Sequence, residues 1–256
     1  MRTVIVIPAA GYGRLNGADS GSKLLAPLGT HNGQPLPLIA ATIHSVLHLD
    51  LPVVVVVNPE NQQAIEGVLA DHHLSTVKVV TQPDRHGTAD AIRRALDYPC
   101  AVHAETVITV CGDMPCWRAA TITRLLAAHE GSPWPLSLVV VPLWGAVPDM
   151  VRHYGRLVYD GDRIVDVVNG GPHDIGRVSP SLFAIDVEWF RRIWEGITPL
   201  DKGDGRKPEQ HLSGLIPLAV RDGGVIEIEL TDPREAIGIN TLRDLALAQH
   251  VVRQHA

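Results

Sequence analysis

A chain of 256 residues with 45% hydrophobic content is long enough to bury a substantial core, and its composition excludes a disordered or fibrous protein. A formal net charge of −6 with no Lys/Arg cluster argues against a nucleic-acid partner, which calls for a basic face. The longest apolar run near the start, Val4 to Ile7, is stopped by Pro8 and is too short for an export signal or a membrane span, so no membrane partner and a cytoplasmic location are expected.

Taken in chain order, short runs rich in valine and isoleucine at 3–7, 52–57, 77–80, 106–111 and 138–141 predict strands. The five consecutive valines from Val53 to Val57 show no polar alternation, which fits a strand covered on both faces. Segments of helical length and amphipathic spacing lie between them at 38–49, 61–72, 89–96 and 119–129. Strands alternating with helices imply right-handed crossovers and an α/β fold with a doubly wound, mostly parallel, Rossmann-like sheet.

After Trp144 the pattern changes. A hairpin is expected at 156–168 around Asp160-Gly161-Asp162, followed by a strand at 178–185 and a short helix at 187–194. A Gly- and Pro-containing loop follows at 198–208, then a strand at 225–230 and a closing helix at 241–253. The expected organisation is one domain, 1–256. It consists of a main sheet part at 1–143, a small α+β lobe at 144–235, and a closing loop and helix at 236–256.

Four segments have residue types suited to chemistry. After the first strand, Ala9, Ala10, Gly11 and Gly13 form a small-residue loop whose backbone N–H groups suit an anion, with Arg14 and Lys23 close behind. The spacing fits neither the dinucleotide fingerprint, because Asn16 stands at the third glycine, nor the Walker loop, because Gly21-Ser22-Lys23 is out of order. Gln82 with Gly87 and Thr88 joins a strand to a helix; the amide suits a base edge and Thr88 suits a helix cap. Asp113, in Cys111-Gly112-Asp113-Met114-Pro115, follows a buried strand at the edge where such sheets bind ligands. Asn240 ends a loop before the last helix and suits an N-cap. Carboxylate and amide oxygens are the hard ligands that Mg²⁺ prefers. His44 and His48 share a helix face without the acid of a metalloprotease motif, and Cys100, Cys111 and Cys116 have neither disulfide-framework nor zinc spacing.

In this order, and together with Tyr154-Gly155-Arg156 and Gly238-Ile239-Asn240, these segments resemble the sugar-1-phosphate nucleotidyltransferase family, on its N-acetylglucosamine-1-phosphate uridylyltransferase branch. The resemblance implies transfer of a nucleotidyl group from a nucleoside triphosphate, UTP favoured, to a sugar 1-phosphate-like acceptor, with release of pyrophosphate. It gives the nucleotide to Ala9, Ala10, Gly11, Gly13, Gln82, Gly87 and Thr88, and the triphosphate charge to Arg14 and Lys23. Asp113 and Asn240 share Mg²⁺, and Gly155 lines the acceptor pocket. The departures fall in two places. Arg14 follows Gly13 directly, and on the acceptor side Asn169 replaces a usual Glu, Ser179 stands near a usual Asn, and Gln210-His211-Leu212-Ser213-Gly214 replaces an aromatic segment. An acceptor other than N-acetylglucosamine 1-phosphate is therefore expected, since one lost hydrogen bond can reject a substrate strongly. No hexapeptide repeat occurs, so acetyl transfer is not expected. A cytidylyltransferase for a small phosphate or phosphonate, a non-catalytic nucleotide-sugar sensor, and the question of a homodimer all stay open at this level.

Overall fold

The computed structural model describes residues 2–11, 13–15, 22–84, 86–201 and 207–255. Its main sheet runs β5 (Lys78–Thr81), β4 (Val53–Val57), β1 (Thr3–Pro8), β6 (Thr106–Thr109), β11 (Phe183–Asp186), β7 (Leu136–Pro142) and β12 (Ile226–Glu229). All of these strands are parallel except β11, which is antiparallel to both β6 and β7. The α/β fold with a mostly parallel sheet is thus the one expected.

The central strands are apolar throughout because both faces are covered. Ile5, Ile7, Val53, Val55 and Val57 pack against α1 (Leu38–Leu47), α2 (Gln62–Asp71), α4 (Ala119–Glu130) and α7 (Leu242–His255). Val4, Val6, Val54 and Val56 point the other way, into a second core with α3 (Thr88–Leu96), α5 (Val187–Ile193) and α6 (Leu215–Arg221). The period-2 alternation of strand side chains explains how one run of valines serves two cores.

The strand expected at 178–185 is two strands. Pro180 supplies no N–H and Ser181 adopts φ +60°, so the chain breaks between β10 (Arg177–Ser179) and β11. β11 stays in the main sheet, while β10 pairs with the end of β7 and leads into a second, antiparallel sheet with β8 (Gly155–Asp160) and β9 (Arg163–Val168). Two further elements differ from expectation. A hairpin, β2 (Pro27–His31) and β3 (Gln34–Pro37), turns through Asn32 and Gly33, both at positive φ. Asn-Gly is a strong hairpin signal, but three prolines in the flanking runs obscure it, as prolines suit only edge strands. α6 contains Pro217 in its first turn, where a missing N–H leaves no intrahelical bond unmade. Part of the expected loop at 198–208, residues 202–206, lies outside the described residues.

Among the described residues, no helix is long and apolar enough to cross a membrane.

Candidate active site

The carboxyl ends of the parallel strands bring the predicted residues together. β1 runs into Ala9 and Ala10, both buried. The Ala9 N–H donates to Val56 O at 2.7 Å, while the Ala9 and Ala10 carbonyls accept from Asn61 Nδ2 and Asn58 Nδ2, each at 2.9 Å. Asn58 and Asn61 also brace each other, each carboxamide oxygen accepting the other's backbone N–H. The loop's carbonyls are thus tied inward, and the N–H groups of Ala10 and Gly11 have no partner among the described residues. Such free amides are the raw material of an anion site. Neither Asn58 nor Asn61 was expected from sequence; the signal was an Asn-Pro-x-Asn turn directly after a parallel strand.

Lys23 lies at the start of a single 3₁₀ turn, Lys23–Leu25, its N–H donating to Gly13 O at 3.0 Å. Its stem crosses Gly13 so closely that a Cβ there would stand 2.6 Å from Lys23 Cε. The stem carries the ammonium to Asp113 Oδ2 at 2.5 Å and Asn240 Oδ1 at 2.7 Å. An acid from the first half and an amide near the far end of the chain therefore converge on one cation.

That convergence is built into the backbone. Asp113 follows β6, with the Gly112 N–H bonded to Pro8 O at 3.1 Å. The Ile239 N–H donates to Asp113 O at 3.0 Å, which fixes Asn240 beside Asp113. The last helix is capped by Thr241 and Asp244. Thr241 Oγ1 accepts from the Asp244 N–H at 3.1 Å, and the Asp244 carboxylate accepts from the N–H groups of Asn240 and Thr241 at 3.0 and 2.8 Å. This reciprocal capping box does the work expected of Asn240 as an N-cap and leaves the Asn240 side chain free for Lys23. Tyr154, directly before β8, donates its hydroxyl to Ala236 O at 2.9 Å, tying the second sheet to the Asn240 loop. Burial, with Asp113 adding to it, pushes the Cys111 thiol up to about 12; burial does the same for Cys116. Both thiols are thus held in the protonated form, which is the poor nucleophile.

On the far side of the loop, Gln82 is buried and donates from Nε2 to Gly87 O at 3.0 Å and Asp90 Oδ2 at 2.8 Å. Gly87 has φ +96°, and a Cβ there would run into the Gln210 backbone, so only glycine fits. Thr88 begins α3 instead of capping it: its Oγ1 accepts the Leu212 N–H at 3.0 Å, and Gly87 is the cap residue. The segment around Gln210 is laced to the same loop, through Gln210 N–H to His86 O at 2.8 Å and Ala89 N–H to Gln210 O at 3.0 Å.

The three residues expected to meet an acceptor are neighbours across the second sheet. Gly155 pairs with Ser179, and a Cβ on Gly155 would meet Asn169 Oδ1 at 2.9 Å. Asn169 is exposed. Ser179 is buried, and its hydroxyl has no hydrogen-bond partner among the described residues. Arg14 is exposed, and no hydrogen bond or ion pair joins it to the Lys23 cluster. Gly13 and Arg14, where the loop departs from the family pattern, are described, whereas Tyr12 and residues 16–21 lie outside the described residues.

Residues 5–160 match the MobA-like NTP transferase domain. The chain is also similar to the bifunctional protein GlmU of Thiobacillus denitrificans, with 27% identity over 255 residues covering 96% of this chain and 50% of that protein. The GlmU of Desulfitobacterium hafniense strain DCB-2 is 28% identical over 255 residues, covering 97% and 52%, and that of Corynebacterium efficiens is 26% identical over 257 residues, covering 96% and 49%. The chain thus spans about half the length of these curated relatives. With the family match extending over most of the chain and over the loop, Lys23 and Asp113, the chain belongs to the MobA-like NTP transferase domain family.

Proposed function

We propose that this chain joins a nucleoside triphosphate, UTP favoured, to a sugar 1-phosphate-like acceptor and releases pyrophosphate with the help of Mg²⁺. The observation that carries the reading is the meeting of Asp113 Oδ2 and Asn240 Oδ1 on one ammonium. Two hard oxygens brought together from the middle and the far end of the chain around a positive charge are a donor set that fits a small divalent cation, which commonly takes one or two protein oxygens and completes its shell with phosphates and water. Asp113 and Asn240 would hold Mg²⁺, which when bound would neutralise charge on the phosphates.

The chain's own groups divide the remaining work. An acceptor phosphate is already ionised near neutral pH, so attack on the α-phosphorus needs no general base; the demands are alignment and charge. The free N–H groups of Ala10 and Gly11 suit triphosphate oxygens. Lys23, held across Gly13, supplies a second positive charge, and the exposed Arg14 is close enough in sequence to add a third. Gln82 and Gly87 would meet the base, with Thr88 beside them bracing the loop. Gly155, Asn169 and Ser179 would face the acceptor, where Asn169 and Ser179 favour a ligand different from N-acetylglucosamine 1-phosphate.

The test is a matrix of nucleoside triphosphates against sugar 1-phosphates, read by pyrophosphate release with and without Mg²⁺. Turnover that needs the metal and is highest with UTP supports the reading. Tight UTP binding by calorimetry with no pyrophosphate from any acceptor would replace it with a sensor.

A further inference from the structure

Gln82 has its amide spoken for. Both hydrogens of its side-chain NH₂ are directed at groups that can only accept: the Gly87 carbonyl at 3.0 Å and the Asp90 carboxylate at 2.8 Å. Asp90 sits on the first turn of α3 and is buried, yet it is held by two guanidinium groups, Arg94 Nε at 2.7 Å and Arg93 Nε at 3.1 Å. Burial by itself would raise its pKa, but hydrogen bonds from Arg94, Gln82 and Arg93 outweigh it, and the carboxyl lies below the usual range. Asp90 is therefore an anion, an acceptor with no proton to offer. If the Gln82 amide were flipped, its oxygen would face two acceptors at hydrogen-bond distance. One orientation is allowed.

We propose that Asp90 is a positioning residue for base recognition, locking Gln82 so that only its carbonyl oxygen is offered to the nucleotide. The proposal rests on the nucleotidyltransferase reading and deepens it. Gln82 Oε1 accepts nothing from the described residues and is not sealed away from solvent. The backbone N–H of Gly87 likewise has no partner among the described residues. The nucleotide loop thus presents one acceptor and one donor, and the base atom opposite Gln82 must carry a hydrogen. An imide edge, N–H beside C=O, satisfies both at once. A ring nitrogen with only a lone pair would meet Oε1 like to like, with an unmade buried hydrogen bond as the penalty. Without the Asp90 carboxylate only the Gly87 carbonyl would oppose a flipped amide, and this filter would weaken.

The experiment is Asp90→Asn in the full chain. Asparagine keeps the shape but can donate to a flipped Gln82. The ratio of kcat/KM for UTP over CTP, measured with one acceptor, is expected to move toward unity by about tenfold, about 1.4 kcal/mol of lost discrimination. The triphosphate KM should rise while the acceptor KM stays in place, a split that general loosening of the fold would not give. An unchanged ratio in a variant with wild-type circular dichroism would overturn the proposal. Dissociation constants of UTP and CTP, measured by calorimetry on the wild type and on D90N, give the same comparison without turnover. An enzyme that makes no pyrophosphate but loses its binding preference in D90N would refute the catalytic reading and leave this one standing. Should D90N not fold, the wild-type Gln82 side-chain NH₂ resonances decide. Protons that stay protected from exchange, with little shift on adding UTP, support the lock; loss of protection as the amide turns sinks it.

Discussion

Two regions of the molecule handle their polar groups in opposite ways. Around the Ala9–Gly13 loop and Gln82, side chains are spent on one another: Asn58 and Asn61 tie down the loop carbonyls, and Asp90 with two arginines holds Gln82. On the second sheet, Ser179 keeps a buried hydroxyl with no partner among the described residues, Asn169 is exposed, and Ile175 nearby in the chain is 79% exposed. In the first region the side-chain polar groups are paired with one another; the second leaves its groups uncommitted. Rigid, satisfied polar networks lower the cost of ordering on binding, whereas uncommitted groups can change identity without unfolding the protein. Asn169 and Ser179, the positions that the sequence reading singles out on the acceptor side, both lie in this uncommitted region.

The sharpest way to break this comparison is at the point where the two halves meet. Asp113→Ala should cut pyrophosphate release by about 10²- to 10³-fold while barely moving the melting temperature, as expected for a preorganised electrostatic group. A loss of less than tenfold would mean that the convergence on Lys23 is structural only. Asn61→Ala should act differently. It strands the buried Ala9 carbonyl, so stability should fall by about 1–3 kcal/mol in urea titration and the triphosphate KM should rise with it. Thr241→Val removes the hydroxyl half of the capping box; about 1 kcal/mol of stability should go, and metal affinity should weaken because Asn240 loses its brace. Asn169→Ala is the counterpart on the second sheet. Its effect on stability should stay within about 0.5 kcal/mol, with the change confined to the acceptor KM. If Asn169→Ala unfolds the protein as readily as Asn61→Ala does, the contrast between the regions is wrong.

The smallest effect near neutral pH concerns acid. The folded pKa of Asp90 is below its unfolded value, so the unfolded chain binds the proton first. Its contribution to stability is complete above the ordinary carboxylate value of about 3.9 and is lost as pH falls through the lowered one. Melting curves of wild type and D90N should therefore differ by a constant amount above that range and converge below it. Exchange protection in α3 should be lost on acidification before that of β8 and β9.

Much of the fold was legible because periodicity reports burial. Val53 to Val57 could only be a strand covered on both faces, and the alternation of strands and helices through Glu130 led to the mostly parallel sheet. What was misread has a local cause in each instance. Pro27, Pro35 and Pro37 hid a hairpin whose Asn32-Gly33 turn was in plain view, and Pro217 hid a helix that tolerates it in the first turn. The stretch from Val178 to Ile185, expected as one strand, is divided at Pro180 and at Ser181, whose positive φ turns each half toward a different partner strand.

The sequence by itself determined most of the element types, the small-residue loop and the presence of an acid, an amide and a lysine in suggestive places, because these depend on neighbours within one or two turns. Only the tertiary structure decided that Asp113 and Asn240 meet on the Lys23 ammonium, that Asn58 and Asn61 hold the loop, and that Asp90 accepts from Gln82. Each of these pairings depends on angle and distance between separately folded elements, and a hydrogen bond's direction is set by the partner that arrives from elsewhere in the chain.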